Sequence, residues 1–476
     1  MEQRSFLNQI DEFTWEIAPN YKKGMRVPAR IFASKKLIEK MDEGVFEQIS
    51  NVATLPGIQK YAIALPDAHR GYGFCIGAVA AFDPENGGII SPGGIGFDIN
   101  CGIRLIRTNL KIEDLEPVKK RLVDQLYERV PAGLGKKGFI KLNREEFKRL
   151  LQGGAEWCVK KGFGWEEDLE RIEDGGKLAW ADPSKVSEKA INRGVNQVGT
   201  LGSGNHFLEI QRVSEIFDLK VAKKFGIEGV GQVTVMIHTG SRGFGHQIGT
   251  DYLRKFGEVM RKYGITVSDR ELACAPFESP EGQDYFGAMA CGANMAFANR
   301  QVIMHRAREV FAEIFGRSAE DLGMQLVYDV AHNVAKVENG LVIHRKGATR
   351  ALGPGNPGLS EFYQETGQPV LIGGSMESRS YLLVGTKLAE EETFGSTAHG
   401  SGRVMSRTQA KRQVWGGDLL KRMHREGIYV KAASMPGLAE EAGIAYKDIS
   451  EVVRVLDETG ISRKVAEMEP VGNIKG

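Results

Sequence analysis

The 476-residue sequence contains no apolar run long enough to cross a bilayer, and its first fifteen residues, MEQRSFLNQIDEFTW, lack the apolar stretch of a secretory leader. Both absences predict a cytoplasmic protein with no membrane partner. Cysteine is scarce: Cys75, Cys101, Cys158, Cys274 and Cys291 are widely spaced, with no CxxC pair. Such an odd set argues against a disulfide framework and against a zinc ribbon, and leaves each thiol free to bind metal in a reducing compartment. Charge of one sign is missing too, since a formal net charge of +2 excludes a polybasic coat while allowing either a nucleic acid or a small anion as partner. The common nucleotide signatures do not occur: there is no GxxxxGK[ST] loop, no GxGxxG between strand and helix, and no KxDG lysine. No Pro- or Ser-rich linker divides the chain, although its length alone would allow about two or three domains.

Glycine is plentiful, 59 residues in all, and much of it follows β-branched runs. The organising stretch is residues 92–104, PGGIGFDINCGIR. Its glycines let the backbone take positive φ and pass close to whatever Asp98 and Cys101 hold. Three positions apart, those two side chains would face opposite sides of a strand, so a turn at Asn100 and Gly102 is needed to bring them together. Alone, the segment reads equally well as a glycine-rich hairpin around a buried free cysteine. Three later segments repeat the design. NQVGTLGSGNHFLEIQRV delivers Asn205 and His206 onto a strand, with Glu209 three further on; VTVMIHTGSRGFGHQ ends a strand at His238; QLVYDVAHNVAKV ends another at His332 and Asn333. Junctions of strand and loop are where rigid scaffolds place functional groups. Asp98, Cys101, His206, His238 and His332 make a mixed carboxylate, thiolate and imidazole set, enough for two metals if the thiolate bridges them.

Elsewhere the signals are weaker. Residues 1–60 mix basic and apolar side chains, with a helix expected through LIEKMDEGVFEQISNVATL and laid over the core. The basic residues Lys136, Lys137, Lys141, Arg144, Lys148 and Arg149 read as a solvated helix face before an RNA contact. NMAFANRQVIMHRAREVFAEIF has helical spacing, which makes its His305 a packing or surface residue. In GSTAHGSGRVMSR, by contrast, His399 stands between residues too small to shield it, with Arg403 and Arg407 following. An accessible imidazole near guanidinium forks suits attack on phosphorus. The terminal PVGNIKG has the composition of a disordered tail.

In this order, from about residue 60 to the end, PDAHRGYGF, GGIGFDINCG, GSGNHFLE, IHTGSRGFG, DVAHN, GGSMESRSY, AHGSGRVMSR and the terminal lysine-glycine resemble the motif set of the RtcB family of RNA-splicing ligases. Ala68, Cys75 and Ser401 depart from it, and none is a proposed ligand. The resemblance implies a ligase dependent on GTP and Mn²⁺ that joins RNA ending in a 3′-phosphate or 2′,3′-cyclic phosphate to RNA with a 5′-hydroxyl. By analogy His399 is the nucleophile, becoming a guanylyl-histidine on the way to an RNA(3′)pp(5′)G intermediate. One Mn²⁺ falls to Asp98, Cys101 and His206, and the other to Cys101, His238 and His332. Glu209, Ser380 and Lys475 would surround guanine, the carboxylate accepting from N1 and N2 and the ammonium donating to O6. Asn205, Asn333, Gly373, Gly374, Ser375, Met376, Gly400, Ser401 and Gly402 would line the sugar and phosphates, and Arg193, Arg242 and Arg403 would meet RNA phosphates.

The implied fold is one large mixed α/β (α+β) domain spanning residues 1–476, with an N-terminal segment at 1–60 and a catalytic core at 61–476 whose tail forms an ordered lid. Two other readings remain open: a dinuclear metallohydrolase, which needs neither His399 nor Lys475, and a non-catalytic RNA-binding subunit, which needs no metal-ligand set. Also open are the natural RNA, whether tRNA halves, another spliced transcript or a damage product, and any need for an activator such as archease.

Overall fold

β-Branched and aliphatic runs become two large sheets in the computed structural model, which describes residues 4–476. The first has seven strands in the order Leu7–Gln9, Thr14–Ile17, Ala29–Phe32, Ile58–His69, Ile76–Phe82, Leu341–Lys346 and Asn333–Glu338. The second runs Leu326–Ala331, Gly102–Lys111, Gln232–Thr239, Phe207–Ile216, Ser462–Lys475, Ser380–Gly385 and Pro369–Ile372, with Tyr429–Ala432 added in parallel beside the end of Ser462–Lys475. Most pairings are antiparallel, and helices pack around the sheets, giving the mixed α+β architecture expected from sequence.

The helix Pro280–Phe315 is 36 residues long, roughly 54 Å at the α-helical rise, and runs through the interior. Ser279 caps its start by accepting from the Gly282 amide at 3.1 Å, and Gly316 ends it at φ 62°. From Tyr285 to Met304 its faces are buried all round, as expected for a stretch without a polar stripe. Several of the polar side chains it buries find partners. Asn299 Oδ1 accepts from the Gly199 and Thr200 amides at 2.7 and 3.1 Å, and Asn294 Oδ1 accepts from Leu178 at 2.7 Å.

Two segments differ from expectation. The helix predicted near the N-terminus forms as two, Lys35–Lys40 and Glu43–Val52, because Asp42 starts the second by accepting from the Gly44 amide at 2.7 Å. Ahead of them, Leu7–Gln9, Thr14–Ile17 and Ala29–Phe32 extend the first sheet to its edge. The tail is not disordered. Ser462–Lys475 is a 14-residue strand whose backbone pairs with Phe207–Ile216 on one side and with Ser380–Gly385 and Tyr429–Ala432 on the other. Partners on both flanks satisfy its amides and carbonyls, which composition alone could not reveal.

Candidate metal centre and nucleotide cavity

Antiparallel register carries the candidate ligands to one end of the second sheet. Gly102 lies opposite both Ala331 and Thr239, and Phe207 lies opposite His238. Cys101, His332 and His206, each one residue beyond a strand, therefore meet His238. Donor atoms of Asp98, Cys101 and His206 all lie within 4.8 Å of one another. Cys101 Sγ is 3.3 Å from Nε2 of His206 and 3.2 Å from Nε2 of His238. Ring centroids continue the series at 5.5 Å from His238 to His332 and 5.3 Å from His332 to His399.

The electrostatics suit a cation. Burial holds the imidazoles of His206, His238 and His332 below their ordinary range, so they remain neutral. Burial and the neighbouring Asp98 carboxylate drive the Cys101 thiol far above its own range. Although burial opposes it, Asp98 is held low by His206 and Arg242 and stays ionised. One thiol, one carboxylate and neutral imidazoles form a donor set that a divalent ion converts to thiolate ligation, since metal ligands bind deprotonated. Nε2 of His332 is buried without a hydrogen-bond partner among the described residues, while its Nδ1 is fixed 2.9 Å from Thr349 Oγ1. That is the orientation an open ligand nitrogen requires. Arg242 Nη1 donates to Nδ1 of His206 at 2.7 Å, so Nε2 carries the ring proton and donates to Asp98 Oδ2 at 2.8 Å. Taking up a cation at that nitrogen displaces the proton. Asp98, Cys101 and His206 fit a metal ion.

A buried arginine holds the cluster in register. Nη1 of Arg300 donates to the carbonyls of Asn100 at 2.8 Å and Thr239 at 2.9 Å, the residues before Cys101 and after His238. Arg300 also pairs with Asp329, on the strand that leads into His332, and Asp329 is shared with Arg104 Nε at 2.7 Å. Gly240 is glycine for a steric reason: a Cβ there would lie 2.4 Å from an Asp98 oxygen.

His399 is oriented from behind. Asp67 Oδ2 lies 2.5 Å from its Nδ1 and accepts from its backbone amide at 3.1 Å. Burial works against the Asp67 carboxylate, yet the charge and hydrogen bonds of His399 keep its pKa low. Lys447 donates to the carbonyls of Pro66 at 3.0 Å and Ala68 at 2.5 Å, bracketing Asp67. Gly402, at φ 72°, could bear no side chain, because a Cβ would fall 2.0 Å from the Asp67 carbonyl.

Around these groups opens a cavity of about 880 Å³, lined by Asp98, Cys101, Asn205, His238, His332, Asn333, Lys475 and the glycine loops 373–376 and 399–402. A bridge between Gly373 and Gly400 clamps the two loops together. Ser380 and Glu209 lie buried behind this lining: Ser380 Oγ accepts from the Gly374 amide at 3.2 Å, and Glu209 Oε1 accepts from Gln211 at 2.7 Å. Register pairs Glu209 with Asn473 and Phe207 with Lys475, which sets the Lys475 ammonium 5.5 Å over the Phe207 ring. Burial lifts the Glu209 carboxyl to about 7 and depresses Lys475. Asn333 is occupied in holding the site, donating to the Asp98 carbonyl at 3.0 Å and accepting from Gly347 at 2.7 Å.

The three arginines expected at RNA phosphates each have protein partners. Arg193 is exposed, with Nη1 3.0 Å from Gln247; Arg242 is engaged with His206; Arg403 is engaged with Glu441 at 3.3 Å and the Glu440 carbonyl at 2.7 Å.

Residues 48–476 match the family model described as tRNA-splicing ligase RtcB. The chain belongs to the RtcB family. A relative from Archaeoglobus fulgidus named tRNA-splicing ligase RtcB is 53% identical over the full length of both chains. Relatives of the same name from Thermococcus kodakarensis and Nanoarchaeum equitans are 52% and 49% identical, with 99% of each chain covered.

Three residues of this RtcB-family site escaped sequence reasoning. Asp67 is hidden in PDAH, where nothing separates it from a turn residue. Lys447 lies in a mixed tail segment. Arg300 had a readable signal, because Asn299, Arg300 and Gln301 are three consecutive polar residues within the mostly apolar stretch from Tyr285 to Met304.

Proposed function

We propose that this protein is a GTP- and Mn²⁺-dependent RNA ligase that joins 3′-phosphate or 2′,3′-cyclic phosphate ends to 5′-hydroxyl ends, acting on tRNA halves in splicing or on broken RNA in repair. The observation that carries the reading is that His399, held by Asp67, lines the same cavity as Asp98, Cys101, His238 and His332, with His206 beside Asp98 and Cys101. A metallohydrolase would have no use for a second, carboxylate-oriented imidazole 5.3 Å from His332.

In this reading Asp67 accepts the Nδ1 proton of His399 and leaves the Nε2 lone pair for the α-phosphorus of GTP. A phosphorus–nitrogen bond forms as the bond to pyrophosphate breaks, and the buried Asp67 carboxylate balances the charge gained by the ring. GMP passes to the RNA 3′-phosphate, His399 is freed, and the 5′-hydroxyl then attacks the 3′ phosphorus as GMP departs. A cyclic end is first opened by hydrolysis. Asp98, Cys101 and His206 would hold one Mn²⁺ and Cys101, His238 and His332 a second, and the pair would supply charge neutralisation at the attacked phosphate and the leaving group. Asn205, Asn333 and the backbone amides of the clamped loops line the path of the triphosphate. Glu209, Ser380 and Lys475 select guanine, and Arg193, Arg242 and Arg403 take RNA phosphates once substrate competes for their present partners.

The protein works in the cytoplasm, and an archease-type activator is compatible with this cycle. Incubation with α-labelled GTP and Mn²⁺ tests the reading: the protein should become covalently labelled and then pass the label to RNA ending in a 3′-phosphate. Hydrolysis of cyclic phosphate without any labelling would favour the metallohydrolase instead.

A further inference from the structure

We propose that Tyr72, Phe97 and His246 form a stacking ledge that holds an unpaired base of an RNA end beside the metal centre. This rests on the ligase reading. The three rings come from separate segments: the loop after Ile58–His69, the residue before Asp98, and the second turn of the helix Arg242–Lys262. Phe97 and His246 are stacked, with centroids 4.9 Å apart and planes 23° from parallel, and Tyr72 meets Phe97 edge-on at 5.5 Å.

The ledge is not core. Tyr72 and His246 are exposed and Phe97 is half-buried, whereas most of the chain's phenylalanines are packed in the interior. Tyr72 and Phe97 line the mouth of the cavity that contains Asp98 and His399. Arg242 begins the helix that carries His246, and Arg193 lies against its first turn, with guanidinium nitrogens 3.2 Å from where a Gly243 Cβ would be. Flat apolar rings edged by guanidinium groups match an unpaired nucleotide, which offers a π-face and a phosphate together. Guanine of GTP is assigned to Glu209 and Lys475, on the strands Phe207–Ile216 and Ser462–Lys475, so these rings are left for the RNA.

The test is a binding cycle in Mn²⁺ without GTP, so that no sealing occurs. Fluorescent single-stranded RNAs with either a 5′-hydroxyl or a 3′-phosphate end are titrated with the wild type, Tyr72→Ala and His246→Ala. Each RNA is also made with abasic sugars at its two terminal positions. For one of the two ends, the variants should bind roughly five- to a hundredfold more weakly, as loss of one base stack requires. The abasic RNA should weaken wild-type binding to the same level and show no further loss with the variants. Equal effects on intact and abasic RNA at both ends would overturn the ledge. So would loss of GMP transfer to His399 in His246→Ala before any RNA is added, because the rings would then be supports for Asp98. A wild type that takes no GMP fails the ligase reading itself, whereas one that seals RNA with undiminished binding by both variants fails only this inference.

Discussion

Nδ1 of His399 and Oδ2 of Asp67 are 2.5 Å apart, a contact that closes 332 positions of chain and is the only side-chain hydrogen bond to the imidazole among the described residues. The carboxylate fixes which nitrogen carries the proton. Asp67→Asn would present an amide that donates to Nδ1, reversing the tautomer and leaving a hydrogen on the attacking nitrogen. Histidines held by carboxylates in Ser-His-Asp triads lose about 10⁴-fold on the same change. Labelling by α-labelled GTP should fall by a comparable factor, roughly 10³- to 10⁴-fold, while bound metal, measured by elemental analysis, stays at the wild-type level. Undiminished labelling would remove Asp67 from the mechanism.

Arg300 is predicted to set metal affinity without touching metal. It spans the Asn100 carbonyl, the Thr239 carbonyl and Asp329 at once, which a lysine cannot do. Arg300→Lys keeps a charge for Asp329, so the variant should fold. Its affinity for Mn²⁺ by calorimetry should nevertheless fall roughly ten- to a hundredfold, the usual effect of losing support behind ligands. Arg300→Met, leaving Asp329 with Arg104 alone, should also lower the melting temperature. Wild-type Mn²⁺ affinity in the lysine variant would show that the ligands hold their own positions.

What was legible in sequence follows from this contrast. Asp98, Cys101, His206, His238 and His332 each mark a strand meeting a glycine loop, a local pattern, and antiparallel register then brings them together. His399 was legible because small neighbours leave it uncovered. Asp67 and Arg300 act through partners far away in sequence, and no local periodicity encodes such a contact. The last strand was hidden for a similar reason: PVGNIKG is polar and glycine-bearing, and its order comes from flanking strands, including Tyr429–Ala432, that sequence does not pair with it.

With guanine read by Glu209 as proposed, GTP binding should depend on pH. Burial raises its carboxyl to about 7, so the free site is mostly protonated at pH 6 and mostly ionised at pH 8. In the proposed contact guanine N1–H and N2–H would donate to the carboxylate, so binding should favour the ionised form and release a proton below pH 7. Affinity should therefore rise as pH increases towards about 7 and level off above it. The triphosphate titrates in the same range, so the comparison is with Glu209→Gln, which keeps the phosphate contribution and lacks this one. The wild-type to variant affinity ratio, measured by calorimetry from pH 5.5 to 8.5, should climb with pH; a constant ratio would take Glu209 away from guanine.

Metal identity should matter in a direction set by the ligands. One thiolate and three imidazoles favour Zn²⁺, Co²⁺ and Cu²⁺ over Mn²⁺. Ligation in Mn²⁺ should be suppressed by small additions of these ions and restored by excess Mn²⁺ with a mild chelator. Cys101→Ser, which removes the atom 3.2–3.3 Å from both His206 and His238, should lower the stoichiometry at both positions together. Loss of only one equivalent of metal would rule out a shared thiolate.

His399→Ala separates the three chemical steps. A phosphorus–nitrogen bond to imidazole is labile in acid and persists in alkali, so wild-type enzyme labelled with GMP should lose it at low pH and retain it at high pH. The alanine variant should take up no label and should fail to join a 3′-phosphate end to a 5′-hydroxyl. RNA that already carries a 3′-terminal diphosphate-linked guanosine bypasses the missing nitrogen. The final displacement needs only the donor cluster, the loops and the RNA site, all of which the variant retains, so it should still seal that RNA. Sealing of 3′-phosphate RNA with GTP by the variant, or a label stable to acid and lost in alkali, would mean that GMP is carried by another residue and that Asp67 orients His399 for some other purpose.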